Sequence, residues 1–181
     1  MARVVVVDYD ARWPEIFEAV RSQIWPAVCD VATTIEHVGS TAVPGLAAKP
    51  IVDVSVVVPT GREVPIGIER LARIGYAHQG NLGIDGREAF ASPPGLPRHN
   101  LYLCPGDSPA LRNHLAVRDY LRAHPGAADA YGALKKRLAT RFADDIGGYV
   151  DGKTDMLLGF LRSAGLDPAE LETIERANRR R

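Results

Sequence analysis

The chain has 181 residues, long enough for one domain with a full hydrophobic core and short for two, so residues 1–181 are expected to form a single domain. Its 22 Lys and Arg balance 22 Asp and Glu, which leaves no overall field to hold nucleic acid or an anionic membrane. The opening "MARVVVVDYD" is too short for the apolar core of a signal peptide, no stretch reaches the length of a membrane span, and Cys29 and Cys104, 75 residues apart, fit neither a disulfide framework nor a zinc cluster. Two free thiols in a reducing cytoplasm is the expectation.

In chain order, Val4 to Val7 reads as a short strand. Trp13-Pro14 opens a helix with Ile16, Phe17, Val20 and Ile24 at helical spacing, expected to end before Pro26. Ile51 to Val58 is the clearest strand, closed by Pro59-Thr60-Gly61, and residues 66–74 form a short helix that stops at Gly75. Gly80 to Pro97 is a glycine- and proline-rich loop or irregular hairpin, and Arg98 to Cys104 is a second strand. The last third is helical: Ser108-Pro109 caps a helix that runs to about His124, a second spans about 127–142, and a third runs from about Tyr149 to Ala164 with Gly165 as its stop. The basic tail, 175–181, is expected to fray in solvent. A mixed sheet followed by a helical part over about 108–165 points to an α+β or α/β fold.

Side chains alternate along a strand, so Asp53 and Ser55 share one face of the 51–58 segment while Val52, Val54, Val56 and Val58 share the other. A carboxylate on so apolar a strand needs a compensating cation, either a residue of the protein or a metal ion. Upstream, Gly39 and Ser40 form a turn whose N–H groups and hydroxyl can cradle a phosphate; Thr41 adds a second hydroxyl and Lys49 a charge before the strand. A tight turn leading into a buried strand, with Asp53 capping a loop or pairing with Lys49, accounts for the same residues without a ligand.

The run "EHVGSTAVPGLAAKPIVDVSVVV" resembles the signature of the GrpB-like family, which is assigned to the nucleotidyltransferase superfamily. The blocks "YDARWPEIF", "GIDGREAF", "LRNHLAVRDYLRAHP", "YGALKKRLA" and "YVDGKTDML" resemble family blocks too, so the likeness spans nearly the whole chain. It implies an α+β fold, a small mixed β-sheet flanked by helices, with the Gly-Ser turn on Gly39-Ser40 and the first metal carboxylate on Asp53. Twelve residues separate Ser40 from Asp53, which fits that superfamily's spacing.

The resemblance also marks a departure. Active members of the superfamily carry a second acid two residues after the first to hold magnesium; here that position is Ser55, a weak neutral ligand. The third carboxylate is expected on the neighbouring strand, "RHNLYLC", where many relatives have His-x-His; Asn100 and Tyr102 stand in those places, unless the alignment slips by one onto His99. The implied set is therefore reduced to Asp53, with Mg2+ or Mn2+ as the cofactor expected there, and Asn100 available to a softer metal, to a substrate or to a structural hydrogen bond.

Three cations outside the turn extend the candidate site. Lys153 lies on the helical stripe of Tyr149, Leu157 and Phe160, so its stem either snorkels to solvent or its ammonium enters the cleft facing Asp53. Arg118 is surrounded by Leu111, Leu115 and Leu121, with Asp119 on a different face, and Arg87 in the "GIDGREAF" loop is placed to close over an anion or to remain an exposed loop residue. At least one of Lys135 and Lys136 is expected in solvent, His114 is read as a surface or helix-end residue like His78 and His124, and Trp13 and Trp25 pack. The chain has no GxxxxGK[ST] loop, no Gly-x-Ser-x-Gly elbow, no cysteine dyad and no basic stripe with interleaved aromatics, which disfavours a P-loop kinase, a covalent hydrolase and a nucleic-acid reader. The readings left are a nucleotidyl- or phosphoryl-transfer enzyme for a nucleotide or phosphorylated small molecule, a ligand-binding relic of one, and a module that stabilises a protein partner, as the family's fusions to dephospho-coenzyme A kinase imply.

Overall fold

A computed structural model describes residues 3–179. Its elements are α1 (Trp13–Val28), β1 (Thr34–Val38), a 3-10 turn (Ser40–Ala42), β2 (Val52–Val58), α2 (Val64–Arg73), β3 (Ala77–His78), β4 (Glu88–Ala91), β5 (His99–Pro105), α3 (Pro109–Ala123), α4 (Pro125–Arg141), α5 (Ile146–Ser163) and α6 (Pro168–Arg179). The strands form one mixed sheet in the order β1-β2-β5-β4-β3, in which β2 and β5 are parallel and every other pair is antiparallel. The fold is α+β.

The valine face of β2 is the core, as its alternation requires. Val52, Val54, Val56 and Val58 pack with Leu101 and Leu103 of β5 against Phe17, Val20, Ile24 and Val28 of α1 and Leu71 of α2. This packing carries α1 past Pro26 to Val28. Proline removes one ladder bond, yet Ile24 and Val28 are both fully buried and Cys29 N–H still donates to Trp25 O at 2.9 Å, so the last turn holds. Trp13 is buried and Trp25 packs against the same core.

The expected strand at Val4–Val7 is reduced to a single antiparallel bridge between Val7 and Ala48. Val4 instead packs on Leu138, Ala139 and Tyr149, so this segment ties the amino-terminal end to α4 and α5. The glycine-rich stretch is an irregular hairpin: β4 lies inside it, paired on one side with β3 and on the other with β5.

The opposite face of the sheet is covered by the carboxy-terminal helices. Ser108 caps α3 by accepting from Leu111 N–H at 3.2 Å, and Leu111 seats the helix on Val57 and Cys104. Pro125 begins α4 directly after α3, and α5 starts earlier than periodicity suggests because Asp145 caps it, accepting from Gly148 N–H at 3.0 Å. Gly165, at φ +89°, ends α5. The basic tail is corrected as far as Arg179: residues 175–179 are the end of α6, where Arg179 pairs with Asp151 and Asp155 of α5 while Leu171 buries against Leu158 and Leu161. Arg180 and Arg181 lie outside the described residues. No helix among the described residues is long and apolar enough to cross a membrane.

Docking of α6 rests on that leucine contact, since its ion pairs are exposed and worth little each. Leu171→Ala is expected to lower unfolding free energy by about 2–4 kcal/mol in urea titrations, whereas Arg179→Ala should cost less than about 1 kcal/mol.

Candidate functional site

The site begins where β1 ends. Val38 is paired with Asp53 across the β1–β2 ladder, and at the next residue the chain turns with Gly39 at φ +71°, ψ −171°. A Cβ at Gly39 would stand 2.3 Å from Asp53 Oδ2, so the carboxylate lies directly against the glycine backbone and any side chain there must displace it. The 3-10 turn that follows places Ser40 and Thr41 in the lining of a cleft of about 80 Å³ that Asp53 also lines. His37 supports the turn from beneath: its ring stacks on Phe17 at 4.7 Å and Nε2 lies 3.0 Å from Thr41 Oγ1. Burial, with Arg122 and Arg118 nearby, holds His37 down at about 4, so it is neutral at neutral pH.

The register of the parallel pair decides which residue of "RHNLYLC" faces Asp53. Asp53 is opposite Asn100 and Ser55 opposite Tyr102, and Asn100 Nδ2 donates to Asp53 Oδ1 at 2.7 Å. His99 belongs to the other face, buried with its Nε2 2.8 Å from the Tyr76 hydroxyl. Burial raises the Asp53 pKa, opposed by the Asn100 hydrogen bond and by Lys49, Lys153 and Arg87.

Three lysines surround this carboxylate. Lys49 lines the cleft before β2, and Lys153 lines it from α5 with its ammonium 5.5 Å from the Tyr149 ring centroid rather than extended into solvent. The third is Lys135 of α4, which local sequence does not distinguish from Lys136. Lys136 is exposed and pairs with Asp8, whereas Lys135 is 2 % exposed, donates from Nζ to Ser40 Oγ at 2.7 Å and sits 4.6 Å from the Tyr131 ring centroid. Burial, reinforced by repulsion from Lys153, pushes Lys135 down to about 6 against the pull of Asp53. Burial and the other two cations near it, Lys153 and Arg98, also lower Lys49. The signal that could have marked Lys135 is its spacing: with Tyr131 and Leu138 it forms an i, i+4, i+7 stripe, which is a buried one.

Below Asp53 the same face holds a second polar layer. Arg87 is buried, not an exposed loop residue, and its guanidinium lies 4.4 Å from the Tyr102 ring centroid. Ser55 is fully buried with no hydrogen-bond partner for its hydroxyl. His114 is corrected from a surface residue: it packs on Tyr102 at 5.5 Å with a buried Nδ1 that has no partner, and burial and Arg87 push it down to about 4. Arg118 is held apart from the cleft. Its Nη1 donates to Glu36 Oε2 at 2.8 Å and to His37 O at 3.1 Å, and its Nε reaches Asp119 Oδ1 at 2.8 Å, so Asp119 does join it.

Asp53 is the one carboxylate lining the cleft, and among the described residues no group of three or more His, Cys, Asp or Glu is placed to hold a metal ion. One acid among three lysines does not make a protein-held magnesium site. It fits a divalent ion only where phosphate oxygens and water complete the shell, which is how magnesium is commonly bound.

A family model described as "GrpB protein" matches residues 3–162. UPF0157 protein YqkA of Bacillus subtilis is 34% identical over 155 residues, covering 86% of this chain, which spans 45% of YqkA. Glutamate-rich protein GrpB of Alkalihalophilus pseudofirmus is 32% identical, with 83% of this chain and 89% of that protein covered. A dephospho-CoA kinase of Mycolicibacterium paratuberculosis is 27% identical over 82% of this chain and 43% of its own length. Among solved structures, GrpB from Enterococcus faecalis superposes with a TM-score of 0.79 at 34% identity, covering 88% of this chain and 96% of that one. At the level of fold alone, the chain is similar to Cid1 poly(U) polymerase (TM-score 0.51, 9% identity, 76% of this chain and 44% of that one) and to terminal uridylyl transferase 4 of Trypanosoma brucei (0.50, 14%, 95% and 66%).

Two outcomes test this geometry. Gly39→Ala must absorb both positive φ and the overlap with Asp53, so it should cost about 2–5 kcal/mol by denaturant unfolding; Gly45→Ala, at φ +79° with nothing within 4 Å, should cost only about 1–2 kcal/mol. For Lys135 the folded pKa lies below the unfolded one, so between about 6 and 10.5 the unfolded chain carries the extra proton and this group makes stability rise with pH. The slope should approach ~1.4 kcal/mol per pH unit in that window and be missing from Lys135→Met.

Proposed function

Because the chain belongs to the GrpB family, we propose that its cleft binds a nucleotide or another phosphorylated small molecule, phosphate toward Gly39, Ser40 and Thr41, in service of nucleotidyl or phosphoryl transfer. The observation that carries this reading is the charge arrangement: Lys49, Lys135 and Lys153 line one small cleft with a single carboxylate, Asp53. Lys49 and Lys153 repel each other across the cleft without an anion, which is part of what lowers Lys49, and a phosphate relieves that repulsion. Mg2+ or Mn2+ would enter on the ligand's phosphates and take Asp53 as its protein ligand, with Asn100 holding the carboxylate in place. Arg87, Tyr102 and Ser55 would shape the floor. The likeness to two nucleotide-polymerising folds, one solved with MgGTP and one with UTP, supports the ligand class by analogy.

A second reading, a module that stabilises a protein partner, is favoured by the relative named dephospho-CoA kinase, of which this chain matches 43%. The test is thermal stability of the purified protein with ATP, CTP, GTP and UTP, each with magnesium, manganese or chelator. A bound nucleotide at ~100 times its dissociation constant should stabilise by roughly 2.7 kcal/mol. Asp53→Asn should abolish only the metal-dependent part, and Lys153→Met should weaken binding with and without metal. Flat curves for every nucleotide and metal would remove the ligand reading in favour of the partner module.

A further inference from the structure

Lys135 and Ser40 are 95 residues apart in sequence and 2.7 Å apart in space. Lys135 reaches the hydroxyl along a buried stem, with the Tyr131 ring beside its nitrogen, Lys153 and Tyr149 facing it from α5, and Asp53 facing it from β2. Ser40 is half-buried, lines the cleft and has Lys135 as its hydroxyl's partner. We propose that Ser40 is a nucleophile toward an electrophilic phosphorus centre, with Lys135 as the general base that takes its proton.

The chemistry follows from that contact. In the structure Lys135 Nζ donates to Ser40 Oγ; once the amine has lost its proton, the same 2.7 Å separation lets the hydroxyl donate to its lone pair instead. The Ser40 Oγ–P bond forms while the bond from phosphorus to its leaving group breaks. The leaving group departs with the electron pair, and the hydroxyl proton moves to Lys135 Nζ. The products are a phosphorylated Ser40 and an ammonium at Lys135, with Lys49 and Lys153 beside the negative charge that grows on the phosphoryl oxygens. A donor phosphoester or phosphoanhydride is the class of co-reactant this requires. The assignment goes beyond nucleotide binding and does not depend on it.

The test uses diisopropyl fluorophosphate, a neutral electrophile that needs no phosphate recognition, on the full chain without nucleotide. Intact-mass analysis and peptide mapping should find one adduct, on Ser40, with fluoride released. Its rate should rise with pH along a single ionisation at about 6. Ser40→Ala should remove the adduct, and Lys135→Met should slow it by about 100-fold or more. The wild-type pH profile stands by itself if Lys135→Met fails to fold. No adduct, an adduct on another residue, or a rate independent of pH from about 5 to 8 would overturn the proposal.

Discussion

The cleft depends on the approach of the Asp53 carboxylate to the backbone of Gly39. A side chain at position 39 would occupy the space of Oδ2, and the positive φ there turns the chain so that Ser40 and Thr41 face the cleft. This contact joins the two structures that make the site, the β1 turn and the β2 strand. It is possible because the antiparallel register sets Val38 against Asp53, leaving the next residue directly over the carboxylate. Asn100 then fixes the other oxygen from β5.

The charges around that contact do not serve stability. Burial pushes Lys135 down to about 6, and it shifts Lys49 and Asp53 toward their neutral forms as well. Shifts of this kind, gathered in one cleft with specific partners, are what makes these residues a candidate site. The Arg118–Glu36 pair is a part-buried strut that ties α3 to β1 and to the carbonyl of His37, just behind the turn. It holds the helix against the strand whose end forms the cleft.

The sheet divides labour between its faces. On one, valines and leucines of β2 and β5 build the core with α1 and α2; on the other, the same strands present Asp53 and Asn100 above Ser55 and Tyr102, roofed by α3, α4 and α5. Parallel pairing of β2 with β5 brings the two polar rows side by side. The helical part supplies lysines from a distance along the chain: Lys135 and Lys153 arrive on separate helices, and the bridge at Val7 and Ala48, with Val4 packed on α4 and α5, fastens the segment leading to Lys49 against them.

By itself the sequence determined the strand expected at Ile51 to Val58 and found at Val52–Val58, its apolar and polar faces, the Gly39-Ser40 turn, the caps at Ser108 and Gly165, and membership of a family, because alternation, turn chemistry and motif spacing are local properties. Choosing Asn100 over His99 needed the register of the β2–β5 pair, which no local pattern encodes. Separating buried Lys135 from exposed Lys136, moving His114 inside, and setting Arg118 on Glu36 rather than on the cleft all required the packing of α3 and α4 on the sheet. The tail misled because α6 is held by Leu171 on α5, a contact invisible in a charged stretch read alone. Local chemistry names the residues that can carry a function; tertiary structure decides which of them meet, since charge–charge and hydrogen-bond energies fall off over a few ångströms that only the fold sets.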